Sequence, residues 1–143
     1  MSDTTYEVTD DVAVVHIDRG ERMNALSEAL VAELTGAMDR AVEDEVRAVL
    51  LTHTGEAFSS GYDLRESGGR STAATIPSVE QGLDRGRRVL ELFTPIPDLP
   101  VPAIAAVRAS ALAGRSVLAL TCDLTYADEP AAFGYPGVRI AGT

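Results

Sequence analysis

The sequence predicts an α/β fold built from strand, helix, strand units, and three observations predict it. Residues 12–17, VAVVHI, are rich in β-branched side chains; apolar residues then recur at helical spacing from Leu30 to Ala41; residues 46–52, VRAVLLT, form a nearly continuous apolar run. Such a run suits a strand covered on both faces in a parallel sheet. A strand, helix, strand order in turn implies a right-handed crossover.

Taken in chain order, residues 5–9 and 12–17 read as a hairpin, because the turn-forming pair Asp10 and Asp11 stands between two β-rich runs. The segment RGERMNA, 19–25, interrupts regular structure. Ser27 is a good N-cap, and Leu30, Leu34, Ala37 or Met38, and Ala41 carry a helix to about Glu43. Residues 53–75 are rich in Gly, Ser and Thr and read as a loop, with a short helix allowed after Gly61. A second long helix is expected over 79–93, where Val79, Leu83, Gly86, Leu90 and Phe93 share a face and Pro95 and Pro97 stop it. AIAAV after Pro102 reads as a short strand, ALAG as a small-residue turn, SVLALTCDL as a buried helix and LTYA as a third parallel strand; FGYP ends the interpretable region.

The chain has 143 residues, with 45% hydrophobic and 24% charged residues. That suits a single folded domain over 1–143 and argues against a disordered or fibrous chain. One Cys excludes a disulfide framework, and with His16 and His53 as the only imidazoles no metal site is expected. No run approaches a membrane span, and the acidic N-terminal stretch is unlike a secretory leader, so a cytoplasmic location is expected. A net charge of −10 repels phosphate surfaces, so neither a nucleic-acid nor a membrane partner is expected. All 12 cations are Arg, which fits a GC-rich genome and a halophile equally.

Two segments are placed to do chemistry: AFSSGYDL at 57–64, after a strand, and PAIAAVRASALAG at 102–114, a strand running into a helix start. Each sets Gly and small residues where backbone N–H groups can approach a ligand, and the second adds the positive end of a helix dipole. Two such N–H groups converging on one point make an oxyanion hole.

The order RGERMNALS, helix, VRAVLLTHTGEAFSSGYDL, helix, PAIAAVRASALAGRSVLALTCDLTYA and AFGYPGVR resembles the enoyl-CoA hydratase/isomerase, or crotonase, superfamily over essentially the whole chain. The resemblance implies a crotonase-like (ClpP/crotonase) spiral of repeated ββα and βαβ units, of which this chain looks like the N-terminal core, incomplete at its C-terminus. It implies an acyl-CoA or enoyl-CoA thioester as partner, with coenzyme A entering as part of the substrate and no separate cofactor. It also implies a homo-oligomer, trimer or hexamer, at full length. The thioester oxygen would be held by the backbone N–H groups of Tyr62 and Gly114, stabilising enolate-like charge. Arg22, Asn24, Ala25 and Leu26 would line the CoA side of the cleft, with Ser60, Asp63 and Leu64 near the pantetheine and adenine.

The departures from the family pattern matter equally. The positions of its two catalytic glutamates hold Val117 and Gly137, neither of which can transfer a proton. Arg115 beside the oxyanion position either attracts a substrate carboxylate or points outward, and Ser116 is also untypical of the turn. These departures leave two alternatives to a hydratase or isomerase: a non-catalytic acyl-CoA-binding protein, or a decarboxylase of malonyl-type thioesters. Tyr62 and Tyr135 can donate hydrogen bonds, though packing is their plainer role. His53 follows a strand end and can serve as a base, though a structural role is its plainer reading, as it is for His16 within a strand. Cys122 reads as a small buried hydrophobe, Asp63 and Asp123 as capping or turn residues, and Arg85, Arg87 and Arg88 as a solvated face or a contact for CoA phosphates.

Overall fold

A computed structural model describes residues 2–55, 57–59, 80, 95–112 and 114–134. The chain begins with β1 (Thr4–Thr9) and β2 (Val12–Ile17), paired antiparallel with Thr9 opposite Val12. Asp10 and Asp11 both take positive φ, 50° and 63°. A two-residue turn of that kind has the twist that matches its strands, and short acidic side chains tolerate it. The expected interruption at 19–25 contains one regular piece, a 3-10 turn over Gly20–Arg22.

The first helix, α1 (Glu28–Glu43), has the bounds that its cap and spacing predict. Ser27 Oγ accepts the Leu30 N–H at 3.1 Å, and Leu30, Leu34, Ala37, Met38 and Ala41 are buried. Their stripe packs over β1 and β2. The chain returns as β3 (Ala48–His53), parallel to β2. Burial alternates along β3, with Val49, Leu51 and His53 inside and Ala48, Leu50 and Thr52 only half covered. The expectation of a strand covered on both faces is thus corrected: one face meets the core, and the other is partly open.

Two further parallel strands, β5 (Ala103–Val107) and β7 (Leu124–Ala127), complete a sheet in the order β1-β2-β3-β5-β7; label β4 belongs to a second sheet. That second sheet is parallel, in the order β4 (Ala57–Ser59), β6 (Ser110–Leu112), β8 (Phe133–Gly134). The helix α2 (Gly114–Thr121) links β6 to β7. Each of β3, β5 and β7 continues within a few residues as β4, β6 and β8, so the first sheet hands its strand order to the second. The core includes Ile17, Leu30, Leu51, Phe58, Val107 and Leu118, drawn from both sheets and from α1 and α2.

The second sheet is what the sequence reading missed. Residues 53–75 are not all loop, because His53 ends β3 and Ala57–Ser59 form a strand; within ALAG, Ala111 and Leu112 belong to a strand rather than a turn. Two- and three-residue strands carry no readable period, and they form because a parallel neighbour is already in place. SVLALTCDL is also corrected: its helix ends at Thr121, and although Ser116, Leu118 and Ala119 are buried, Leu120 is 68% exposed. Asp123 is the turn residue it was read as, its Oδ2 accepting the Ala103 N–H at 2.7 Å. Segment 60–75 and the helix expected over 79–93, with Arg85, Arg87 and Arg88, lie outside the described residues except for Glu80, which is helical and exposed.

Ser27→Ala should lower stability by about 1 kcal/mol through loss of the α1 cap, and Leu30→Ala by about 2–5 kcal/mol through a cavity under the helix. Chemical denaturation followed by circular dichroism reads both, and a loss for Leu30→Ala no larger than that for Ser27→Ala would contradict this account of how α1 is held.

Candidate functional site

The loop after β2 is held from within. Arg19 N–H donates to Asn24 Oδ1 at 2.7 Å, Arg19 Nη1 donates to the Ala25 carbonyl at 2.8 Å, and Arg19 Nε lies 3.0 Å from Asp3 Oδ2. Asn24 has φ 51°, is fully buried, and donates through Nδ2 to the Thr54 carbonyl at 2.8 Å. Its side chain thus joins the loop after β2 to the loop after β3. The two loops also touch at Gly55, where φ is 77° and an added Cβ would lie 3.3 Å from the Gly20 Cα. Ala25 and Leu26 are buried as well, whereas Arg22 and Met23 are exposed. A ligand meeting 24–26 would therefore touch backbone, and the side chains on offer in this segment are those of Arg22 and Met23.

His53 closes the end of β3. The ring is fully buried and stands edge-on to Phe58 of β4, with centroids 5.1 Å apart and planes at 86°. Its Nε2 accepts the backbone N–H of Arg108 at 3.2 Å, and its Nδ1 lies 3.2 Å from the Thr54 carbonyl. An acceptor at Nε2 leaves the proton on Nδ1, which donates to that carbonyl. Arg108 Nη2 in turn donates to the His53 carbonyl at 2.6 Å. With both ring nitrogens engaged, His53 is a structural residue rather than a free base.

The second sheet sets side by side the two strands that precede the candidate donor segments. β4 pairs in parallel with β6, Ala57 opposite Ser110 and Ser59 opposite Ala111, so both strands end on the same side. One leads into Ser60, Gly61 and Tyr62; the other leads through Ala113 into Gly114, the first residue of α2. The first N–H groups of a helix have no partner inside it and attract negative charge. Arg115 follows in the first turn of α2. Ser116, also there, is 6% exposed, and its Oγ lies 2.5 Å from the Ala111 carbonyl oxygen and 2.9 Å from that of Gly134. The same oxygen accepts the Gly134 N–H at 3.3 Å, so one hydroxyl ties together β6, α2 and β8.

Val117 is half-buried against the core, an apolar packing position. Cys122 is buried, with its thiol pushed up to about 12 by burial and then by the Asp123 charge, which fits its reading as a small hydrophobe. Ser60, Tyr62, Asp63, Leu64, Tyr135 and Gly137 lie outside the described residues. Sequence reasoning passed over Arg108 and the tying role of Ser116. Neither carries a local signal, because their partners are brought close only by the sheets. No helix among the described residues is long and apolar enough to cross a membrane.

The family model for enoyl-CoA hydratase/isomerase matches residues 7–143. The Rhodobacter capsulatus "Probable enoyl-CoA hydratase" is 37% identical over 139 residues, covering 94% of this chain and 49% of its own length. The crystal structure of an enoyl-CoA hydratase/isomerase from Xanthobacter autotrophicus superposes with a TM-score of 0.84 at 38% identity, covering 96% of this chain and 50% of that one. An enoyl-CoA hydratase from Bacillus anthracis gives a TM-score of 0.83 at 30% identity, with coverage of 97% and 52%. The chain thus has the crotonase fold and spans about half the length of the relatives it matches.

Nitrogen-15 shifts of the imidazole should show His53 neutral with its proton on Nδ1; a proton on Nε2 would contradict the Arg108 contact. Ser116→Ala should destabilise by about 1–3 kcal/mol, the cost of leaving buried polar groups unpaired, read as a lowered denaturation midpoint. Cys122 keeps its proton more tightly folded than unfolded, so its contribution to stability is full below pH 9, the ordinary thiol value, and is lost as pH rises through about 12. Iodoacetamide at pH 8 should accordingly label Cys122 only as fast as the protein opens.

Proposed function

Because the chain belongs to the enoyl-CoA hydratase/isomerase family, we propose that it supplies the part of an acyl-CoA site that holds the thioester oxygen. The two donors are the N–H groups of Tyr62 and Gly114. The observation that carries this is the parallel pairing of β4 with β6, which sends the two segments off from neighbouring strand ends, one of them into the start of a helix. Donors fixed in advance need no reorganisation as charge develops on the oxygen, which is why such a hole can lower the barrier to enolate formation. Coenzyme A enters as part of the substrate. Its side of the cleft is formed by the exposed side chain of Arg22, the backbone of Asn24, Ala25 and Leu26, and the segment holding Ser60, Asp63 and Leu64. Tyr135 and Arg115 are further substrate contacts in this reading, and the full-length protein is a trimer or hexamer.

A proton-transfer step has less support. The half-buried Val117 packs against the core, where it can supply neither acid nor base. The site is therefore read as one that binds and polarises a thioester.

Calorimetry should show binding of acetoacetyl-CoA and none of acetoacetate at the same concentration; equal binding of both, or of neither, by folded protein would remove this reading. Hydration of crotonyl-CoA should fall below the median enzyme turnover of about 10 per second by at least the factor of about 10² that one general acid or base contributes. Turnover near that median would show that another acid and base serve the site.

A further inference from the structure

The three places where strands pass from the first sheet to the second are built alike, with one exception. After β3, the Thr54 N–H donates to the Ile17 carbonyl of β2 at 2.9 Å; after β7, the Asp128 N–H donates to the Val107 carbonyl of β5 at 3.0 Å. In each case the residue just past the strand makes one more main-chain bond to its neighbour. The equivalent bond after β5 would run from the Arg108 N–H to the His53 carbonyl. Instead the Arg108 N–H meets His53 Nε2 at 3.2 Å, and the His53 carbonyl accepts the Arg108 guanidinium at 2.6 Å. The pairing of β3 with β5 runs from Val49–Ala103 to Leu51–Ala105, although both strands continue two residues further. The imidazole therefore stands where a backbone contact would close the pair.

We propose that His53 is a positioning residue that sets the separation of the two thioester-holding segments, by wedging β3 from β5 at the crossing and seating its ring on Phe58 of β4. The proposal rests on the oxyanion reading above and adds the residue that gauges it. Phe58 stands four residues before Tyr62, and Arg108 stands six before Gly114, so one buried ring bears on the base of both donor segments. Replacing the ring with a small side chain leaves the Arg108 N–H free to take the ordinary main-chain bond, which draws β5 toward β3 and shifts the start of β6. The CoA side of the cleft, at Arg22 and the backbone of 24–26, is held by Arg19 through Asn24 Oδ1 and the Ala25 carbonyl; it meets His53 at the Thr54 carbonyl, a main-chain acceptor that keeps its Asn24 bond when the ring is replaced.

The test compares the affinities of acetoacetyl-CoA and of free CoA, which lacks the thioester carbonyl, in wild type, His53→Ala, His53→Gln and Phe58→Leu. Wild type should prefer acetoacetyl-CoA. His53→Ala should reduce that preference about tenfold while free CoA binds as before, since donor placement at the 1 Å scale is worth factors of this order or more. His53→Gln, whose amide oxygen can replace Nε2 as acceptor, should restore most of the preference. Phe58→Leu keeps the core apolar and the acceptor intact, and should reduce the preference by a smaller factor; it serves as the readout if His53→Ala does not fold. An unchanged preference in the folded variants, or a parallel loss of both ligands, overturns the proposal while leaving the oxyanion reading in place. A wild type that binds both ligands equally overturns that reading, and this proposal with it.

Discussion

The exchange of hydrogen bonds between His53 and Arg108 is the constraint on which the junction of the two sheets depends. It joins the end of β3 to the chain leaving β5 through Nε2 and the strand's last carbonyl, while Nδ1 is held by the Thr54 carbonyl. Phe58 meets the same ring from β4, so the first sheet, the crossing and the second sheet share a single buried contact. β4 and β6, the strands that lead into the proposed site, both begin just past this point.

A second tie complements the first. Thr54 receives its neighbour's imidazole and the Asn24 amide on one carbonyl, while its hydroxyl donates to Asp18 at 2.6 Å. The loop after β2 is thereby fastened to the same corner. On the far side of the second sheet, Ser116 performs a comparable task for β6 and β8 with one hydroxyl. Strands of two or three residues could not persist alone, and here the Ser116 hydroxyl holds β6 and β8, and the His53 ring against Phe58 holds β4, in addition to their ladders.

Much of the first sheet was legible in the sequence because its signals are local. Asp10 and Asp11 mark a turn by chemistry, Ser27 marks a cap, and the stripe from Leu30 to Ala41 marks a buried face, all within a few residues of what they specify. The second sheet was not legible, since nothing in Ala57–Ser59 or Ser110–Leu112 distinguishes a strand from a turn until each has the other beside it. At the site, the family pattern pointed to Gly114, and the structure gives it a helix start. The same pattern assigns Asn24 to the lining of the CoA cleft. Its side chain proves to be buried and bonded at both ends, because its left-handed backbone turns the amide inward between two loops. His53 was weighed as base or packing residue, and its tie to Arg108 depends on two strand ends meeting, which no local pattern announces.

The pairing of Ala57 with Ser110 joins residues further apart in the chain than that of Val12 with Ala48. The entropy of closing such a loop grows only logarithmically, by about 0.6 kcal/mol for each doubling of its length. The β4–β6 pair is therefore nearly indifferent to how many residues lie between its strands. Closure entropy therefore sets little limit on the length of the chain that leads from β4 to β5, while a single residue added between β3 and β4 would move Phe58 off the imidazole and be felt at once.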